Sequence, residues 1–150
     1  MSELSDLYQE LILDHNRQPH NFHGMPDATR KAEGYNPLCG DQITVYLKLD
    51  NNRIQEVSFE GKGCAISKAS ASVMTDEVKG KTPLEAGSLF EKFRELVTQP
   101  KEDQPDKDEL GRLAVFSGVS EFPARVKCAT LAWHTLHSAL EAQKGVTTTE

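Results

Sequence analysis

No stretch of this chain approaches the ~20 consecutive apolar residues that a membrane-spanning helix requires, which excludes a membrane span. The opening residues Met1-Ser2-Glu3-Leu4-Ser5-Asp6 carry acids where a secretory leader would carry bases and then an apolar block, so a cytoplasmic location is expected. Positive charge is also short. Lys and Arg number 17 against 23 Asp and Glu, a net charge of −6, and Glu102, Asp103, Asp106, Asp108 and Glu109 crowd one stretch. That balance works against binding a phosphate backbone, and nucleic acid is not an expected partner. Cysteine is limited to three residues, an odd number that cannot all pair, and a reducing compartment disfavours structural disulfides. The thiols are left for metal binding or chemistry. Internal repeats and linker-like stretches are missing too, so residues 1–150 read as one domain, long enough to bury its own core.

The elements follow from periodicity. Leu4, Leu7, Tyr8, Leu11 and Ile12 at helical spacing after Ser2 predict an amphipathic helix ending near Pro19. Residues 17–35 carry Pro19, Gly24, Pro26 and Gly34 without periodicity and read as a loop, in which 31–35 form at most a weak strand. Ile43, Val45, Leu47 and Leu49 alternate with Thr44, Tyr46 and Lys48 as a half-buried strand. Asp50-Asn51-Asn52 turns into a second, antiparallel strand over 53–60, and the apolar phase slips between Ile54 and Val57 as a bulge would make it.

Small residues after Gly61-Lys62-Gly63 predict a closely packed helix that ends at Gly80. Thr82-Pro83-Leu84-Glu85 is a capping box that opens a helix with Leu89, Phe90, Phe93, Leu96 and Val97 on its buried stripe. Residues 98–109 read as a solvated insertion, and apolar character returns over 110–119. Phe122-Pro123 opens a last helix ending near Lys144-Gly145, with 146–150 as a frayed tail. Strands first and helices after predict an α+β domain, a small antiparallel sheet with helices on one face.

The chemistry is carried by Cys39 and Asp41, Cys64 and Cys128. Cys39 and Asp41 are two apart at a strand start, so extended backbone points both to one side. Cys64 follows two glycines at a helix start, where free N–H groups and the helix dipole favour a thiolate. Cys128 falls in the second turn of the last helix, with Arg125 one turn earlier and Lys127 adjacent, and both cations favour its thiolate too. Three thiolates and one carboxylate would complete a tetrahedral zinc site or a ligand set for an iron-sulfur cluster.

The spacing contains no zinc-finger hairpin, so tertiary folding must assemble the set. A carboxylate among thiolates is the harder, more weakly held donor, which suits a site that exchanges ligands. His134 and His137 lie off the apolar stripe and are expected exposed, His20 and His23 fall in the loop, and no Cys/His pairing of the kind a cysteine hydrolase uses is evident.

Tyr35-Asn36-Pro37-Leu38-Cys39-Gly40-Asp41, Phe59-Glu60-Gly61-Lys62-Gly63-Cys64-Ala65-Ile66-Ser67 and Arg125-Val126-Lys127-Cys128-Ala129-Thr130-Leu131-Ala132-Trp133 together resemble the SufU branch of the IscU/NifU-like proteins of iron-sulfur cluster assembly. The likeness spans nearly the whole chain, from Leu7-Tyr8-Gln9-Glu10-Leu11-Ile12-Leu13-Asp14-His15 through the insertion before Cys128. It implies an α+β fold in which Cys39, Asp41, Cys64 and Cys128 bind zinc, and a role as sulfur acceptor and activator for a SufS-type cysteine desulfurase, upstream of other iron-sulfur assembly proteins.

In that picture a histidine of the desulfurase displaces Cys39 from zinc and frees its thiolate to attack the persulfide, with Arg125 a candidate for guiding the exchange. The alternative within the same family is a scaffold on which these residues hold a transient iron-sulfur cluster or iron. Three departures from the scaffold branch favour sulfur transfer. Lys127 stands where that branch carries a histidine, the segment 122–127 does not match its Leu-Pro-Pro-Val-Lys chaperone motif, and the run between Gly80 and Cys128 is longer.

Overall fold

A computed structural model describes residues 3–142 and 145–148. Ser2 ahead of the first helix, Lys144 of the expected last-helix end, and Thr149 and Glu150 of the expected tail lie outside the described residues. Helix α1 (Glu3–Arg17) leads through a loop to strand β1 (Arg30–Asn36), followed by β2 (Asp41–Asp50) and β3 (Arg53–Lys62). Helices α2 (Ala65–Val78) and α3 (Pro83–Thr98) come next. A single 3-10 turn Lys101–Asp103, a short α4 (Lys107–Leu110) and a 3-10 stretch Gly111–Glu121 precede α5 (Pro123–Leu140) and a final strand β4 (Val146–Thr148). The fold is α+β. Its four strands run in the order β3-β2-β1-β4.

The β2–β3 hairpin turns on Asn51 and Asn52, both left-handed at φ 52° and 60°, the conformation a two-residue connection needs to match strand twist. Pairing steps from Lys48 opposite Glu56 to Leu49 opposite Ile54, so Gln55 is the extra residue of a bulge, at the place where the apolar phase slips.

Three expectations are corrected. The weak strand at 31–35 is a full inner strand, β1, paired with β2 from Arg30 opposite Leu47 to Asn36 opposite Asp41. It escapes an apolar-alternation reading because its core-facing positions are Ala32, Gly34 and Asn36, small or polar groups over which α5 passes closely. A Cβ at Gly34 would meet the Thr135 Oγ1 only 2.0 Å away. The expected tail is also structured over Val146–Thr148, which pairs parallel to β1 and makes the sheet mixed rather than antiparallel throughout. Finally, α5 ends at Leu140, with Glu141 closing the helix through its N–H on His137 O, short of the expected stop at Lys144-Gly145.

Helix α5 packs on β1 and β2 and α2 on β3, and the two helices pack on each other. Val45, Leu47, Ile54 and Phe59 of the sheet meet Met74, Leu131 and Leu136 in a buried core. Beside them Trp133 stacks against both Phe90 and Phe93, with ring centroids 5.9 and 5.1 Å away. The capping box at Thr82 and Glu85 forms both of its bonds. The insertion is tied back by the Gln104 side-chain amide, which donates to Leu96 O and Ser117 O at 2.9 and 3.0 Å, and by a Glu109 ion pair with Lys92 of α3 at 3.5 Å. Among the described residues no helix is long and apolar enough to cross a membrane.

Candidate metal and sulfur site

Strand alternation puts Ala32, Gly34 and Asn36 of β1 on one face beside Val45, Ile43 and Asp41 of β2. The last pair on that face, Asn36 and Asp41, is polar, and both residues are fully buried. Four residues join the two strands. Their turn is closed by Gly40 N on Asn36 O at 2.8 Å and by Leu38 N on Asn36 Oδ1 at 3.3 Å, with Gly40 taking the left-handed φ of +75° that glycine tolerates. Cys39 rides this turn and is exposed.

Cys64 is the N-cap of α2, and its Sγ accepts the Ser67 amide at 3.5 Å. Its own N–H donates to Asp41 Oδ1 at 2.9 Å, which joins the helix start to the strand start. Gly63 is required there, because a Cβ on it would stand 2.6 Å from that same oxygen. Cys128 is fully buried in α5, its Sγ 3.4 Å from Cys39 Sγ. The donor atoms of Cys39, Asp41 and Cys128 all lie within 4.8 Å of one another. Cys64 stands outside that closest group of three and is linked to it through Asp41 and through the Cys128 thiol.

A hydrogen bond from the Cys128 thiol, helped by the Ser67 amide, draws the Cys64 thiol down to about 6 against the opposing effect of burial. The proton stays with Cys128, which is pushed far up by the same bond, by burial and by Cys39. Arg125, exposed one turn before Cys128, is held more firmly protonated by its hydrogen bond to Cys128 and by the charges of Cys64, Cys128 and Cys39. Thiolates bound at about 2.3 Å around one tetrahedral ion stand roughly 3.8 Å apart, so the Cys128 and Cys39 sulfurs, hydrogen-bonded at 3.4 Å, would need to separate by only a few tenths of an ångström to share one ion. Soft sulfurs with one hard oxygen suit zinc or an iron-sulfur unit.

The sequence-derived set of Cys39, Asp41, Cys64, Cys128 and Arg125 therefore meets at one end of the sheet. The histidines do not join it. His20 Nδ1 lies 2.5 Å from Asp76, His23 Nδ1 bonds Gly24 O at 2.8 Å, and His15 Nδ1 bonds Ser72 at 2.7 Å. His137 is exposed as expected, whereas His134 is half-buried edge-on to Phe90, with its ring held neutral chiefly by burial. Two residues of the site went unassigned in the sequence reading, Asn36 and Gly63. The signal for Asn36 was its place five residues before Asp41 across a hairpin turn, which makes the two cross-strand partners.

What the fold and the site define is a class of α+β protein with cysteine thiols and a buried carboxylate gathered at one end of the sheet. Comparison with known proteins gives the family. Residues 7–129 match the NifU-like N terminal domain. The chain is 41% identical over 141 residues to the iron-sulfur cluster assembly scaffold protein IscU of Streptococcus pyogenes serotype M1, covering 94% of this chain and 87% of that one. It is 39% identical over 144 residues to the zinc-dependent sulfurtransferase SufU of Bacillus subtilis strain 168, covering 96% of each. A crystal structure from Fervidobacterium islandicum AW-1, assigned as an iron-sulfur cluster assembly scaffold protein for the SUF system, superposes with a TM-score of 0.79 at 36% identity, covering 87% of this chain and 94% of that one. The chain belongs to the IscU/NifU-like family, which includes SufU.

Proposed function

We propose that this protein is a zinc-dependent sulfurtransferase that accepts persulfide sulfur from a SufS-type cysteine desulfurase, activates it, and passes sulfur on to downstream iron-sulfur assembly proteins in the cytoplasm. The observation that carries this reading is an asymmetry of burial. Asp41 and Cys128 are sealed in the protein, while Cys39, within 4.8 Å of both, is exposed on its turn where a partner's sulfur can reach it. The similarity to a relative named as a zinc-dependent sulfurtransferase over 96% of both chains supports it.

Cys39, Asp41, Cys64 and Cys128 would hold the zinc, which when bound keeps the thiols deprotonated without leaving them free. The reaction is a thiolate exchange. The Cys39 thiolate attacks the terminal sulfur of the desulfurase persulfide and a new S–S bond forms to Cys39. The old S–S bond breaks, and its electron pair leaves with the desulfurase cysteine as thiolate. No external oxidant or reductant is needed. Arg125, already drawn to the sulfurs around Cys128, offers a cation to the anionic persulfide as it arrives.

Purified protein should contain close to one zinc and should stimulate alanine release from cysteine by a SufS-type desulfurase, and Cys39→Ala should abolish the stimulation. A coloured cluster as isolated, transferred to an apo-acceptor without any stimulation of the desulfurase, would instead establish the scaffold role that several relatives carry in their names.

A further inference from the structure

One side chain that carries no chemical signal in the sequence touches two of the three closest donors. Asn36 Nδ2 donates to Asp41 Oδ2 at 3.1 Å and to Cys128 Sγ at 3.5 Å. Its Oδ1 takes the Leu38 amide and its backbone O takes the Gly40 amide, so the same residue also anchors both sides of the turn that carries Cys39. The residue is fully buried, so its bonds to Asp41 and Cys128 do not compete with water. With Cys64 N–H on Oδ1 and Asn36 on Oδ2, both oxygens of the Asp41 carboxylate are gripped by the protein. The Asn36 amide gives Cys39 Sγ no such bond.

We propose that Asn36 is a positioning residue that fastens Asp41 and Cys128 as the fixed donors and so makes Cys39 the donor that leaves. The inference rests on the zinc-site reading above. Its physical basis is that an outer hydrogen bond orients a ligand and tunes its hold on a metal, and that an N–H donor to a sulfur disperses the charge of the thiolate it stabilises. A carboxylate anchored at both oxygens returns to the same place after any exchange, whereas Cys39 sits on an exposed turn whose anchors are backbone amides on either side of it and takes no hydrogen bond from Asn36.

The test compares zinc-loaded wild-type protein with Asn36→Ala and Asn36→Ser, the serine being too short to span Asp41 and Cys128. Zinc affinity is read by chelator competition, and the order of cysteine labelling by limiting iodoacetamide and mass spectrometry. In the wild type, alkylation falls on Cys39 well ahead of Cys128. In the variants zinc affinity drops about 10–100-fold and the preference for Cys39 narrows. Metal-free far-ultraviolet circular dichroism checks that each variant is folded.

A general loss of stability would itself expose the buried Cys128 and narrow the preference, so the preference is read only in variants whose thermal melt matches that of the wild type. The unmutated chain gives a second measurement, because the Asn36 side-chain amide resonances must move when zinc is added. Folded variants with wild-type affinity and wild-type labelling order, or Asn36 resonances indifferent to zinc, overturn the assignment. If the wild type itself neither retains zinc nor stimulates a desulfurase, it is the parent reading that falls.

Discussion

The amide of Cys64 donates to Asp41 Oδ1 at 2.9 Å, so a single buried carboxylate ties the start of α2 to the start of β2. Such a carboxylate, removed from water and satisfied by backbone and side-chain N–H groups, is costly to disturb, because any displaced partner is left unpaired in the interior. This end of the sheet is thus organised around the Asp41 carboxylate, with the cysteine sulfurs arranged about it.

Gly63→Ala follows directly from this arrangement. The added Cβ would lie 2.6 Å from Asp41 Oδ1 and 3.1 Å from the Asp41 Cβ, atoms that two other elements hold in place. Overpacking of this kind costs about 1–3 kcal/mol. Urea unfolding of the metal-free variant should show that loss, and the variant should retain less zinc after dialysis although every ligand is present. An unchanged unfolding midpoint with full metal retention would show that the carboxylate is not pinned as described.

In the metal-free protein, Cys64 should alkylate with a pH midpoint of about 6, far below an ordinary thiol. The largest cause is the Cys128 hydrogen bond, so Cys128→Ala should move the midpoint upward, and the two thiols titrate as a pair whose first proton leaves near that pH. The folded value lies below the unfolded one. Stability from the pair therefore rises with pH between about 6 and 8.5, where the folded state has released one thiol proton more readily than the unfolded chain, and declines again above about pH 8.5, because Cys128 keeps its proton in the folded state. A midpoint that ignores removal of Cys128 would contradict the coupling.

How far the sequence led differs between site and fold for a physical reason. The site was legible because cysteine beside glycine at element boundaries is chemically distinctive, and Cys39, Asp41 and Cys128 do converge. Helices α2, α3 and α5 and the β2–β3 hairpin were legible because their apolar periodicity and caps are local. Strand β1 was nearly invisible, since the close pass of α5 demands Gly34 and the site demands Asn36 where an apolar pattern would have revealed a strand. The parallel pairing of β4 was invisible too, because its partner lies more than a hundred residues earlier and Val146-Thr147-Thr148 has too little length to show a period.

A pH effect of opposite chemical origin is expected at the N-terminal helix. His15 is buried on α2 with Nδ1 2.7 Å from Ser72 Oγ, and the Ser72 oxygen also takes the His20 amide at 2.8 Å. Burial, then the neighbouring His20, lower the affinity of His15 for a proton, with Asp76 and Asp14 opposing and Arg112 reinforcing. The folded state therefore prefers the neutral ring. Stability is present above the ordinary histidine value of about 6.5 and falls as pH drops below it, because the unfolded chain binds the proton more readily. Thermal melts between about pH 7 and 5 should show the decline. His15→Ala should flatten it while costing about 0.5–1.5 kcal/mol at neutral pH for the lost bond alone.

Arg125 sits in the first turn of α5, two residues after Pro123, where the positive end of the helix dipole disfavours a cation. Its position is instead favoured by the sulfurs of Cys128, Cys64 and Cys39, which hold its proton more tightly. The side chain is exposed, so the proposed attraction for a persulfide anion would act through solvent and be screened by salt. Arg125→Ala should slow sulfur uptake from the desulfurase several-fold at low ionic strength, and the difference should shrink toward 1 M salt, where the screening length falls to about 3 Å. Zinc content should be unchanged, since the guanidinium is no ligand. Arg125→Lys should recover the charge but not the planar fork, and so regain part of the rate. An alanine variant that matches the wild type at low salt would show that the cation takes no part in sulfur transfer, and zinc loss in that variant would show that it supports the ligand set instead.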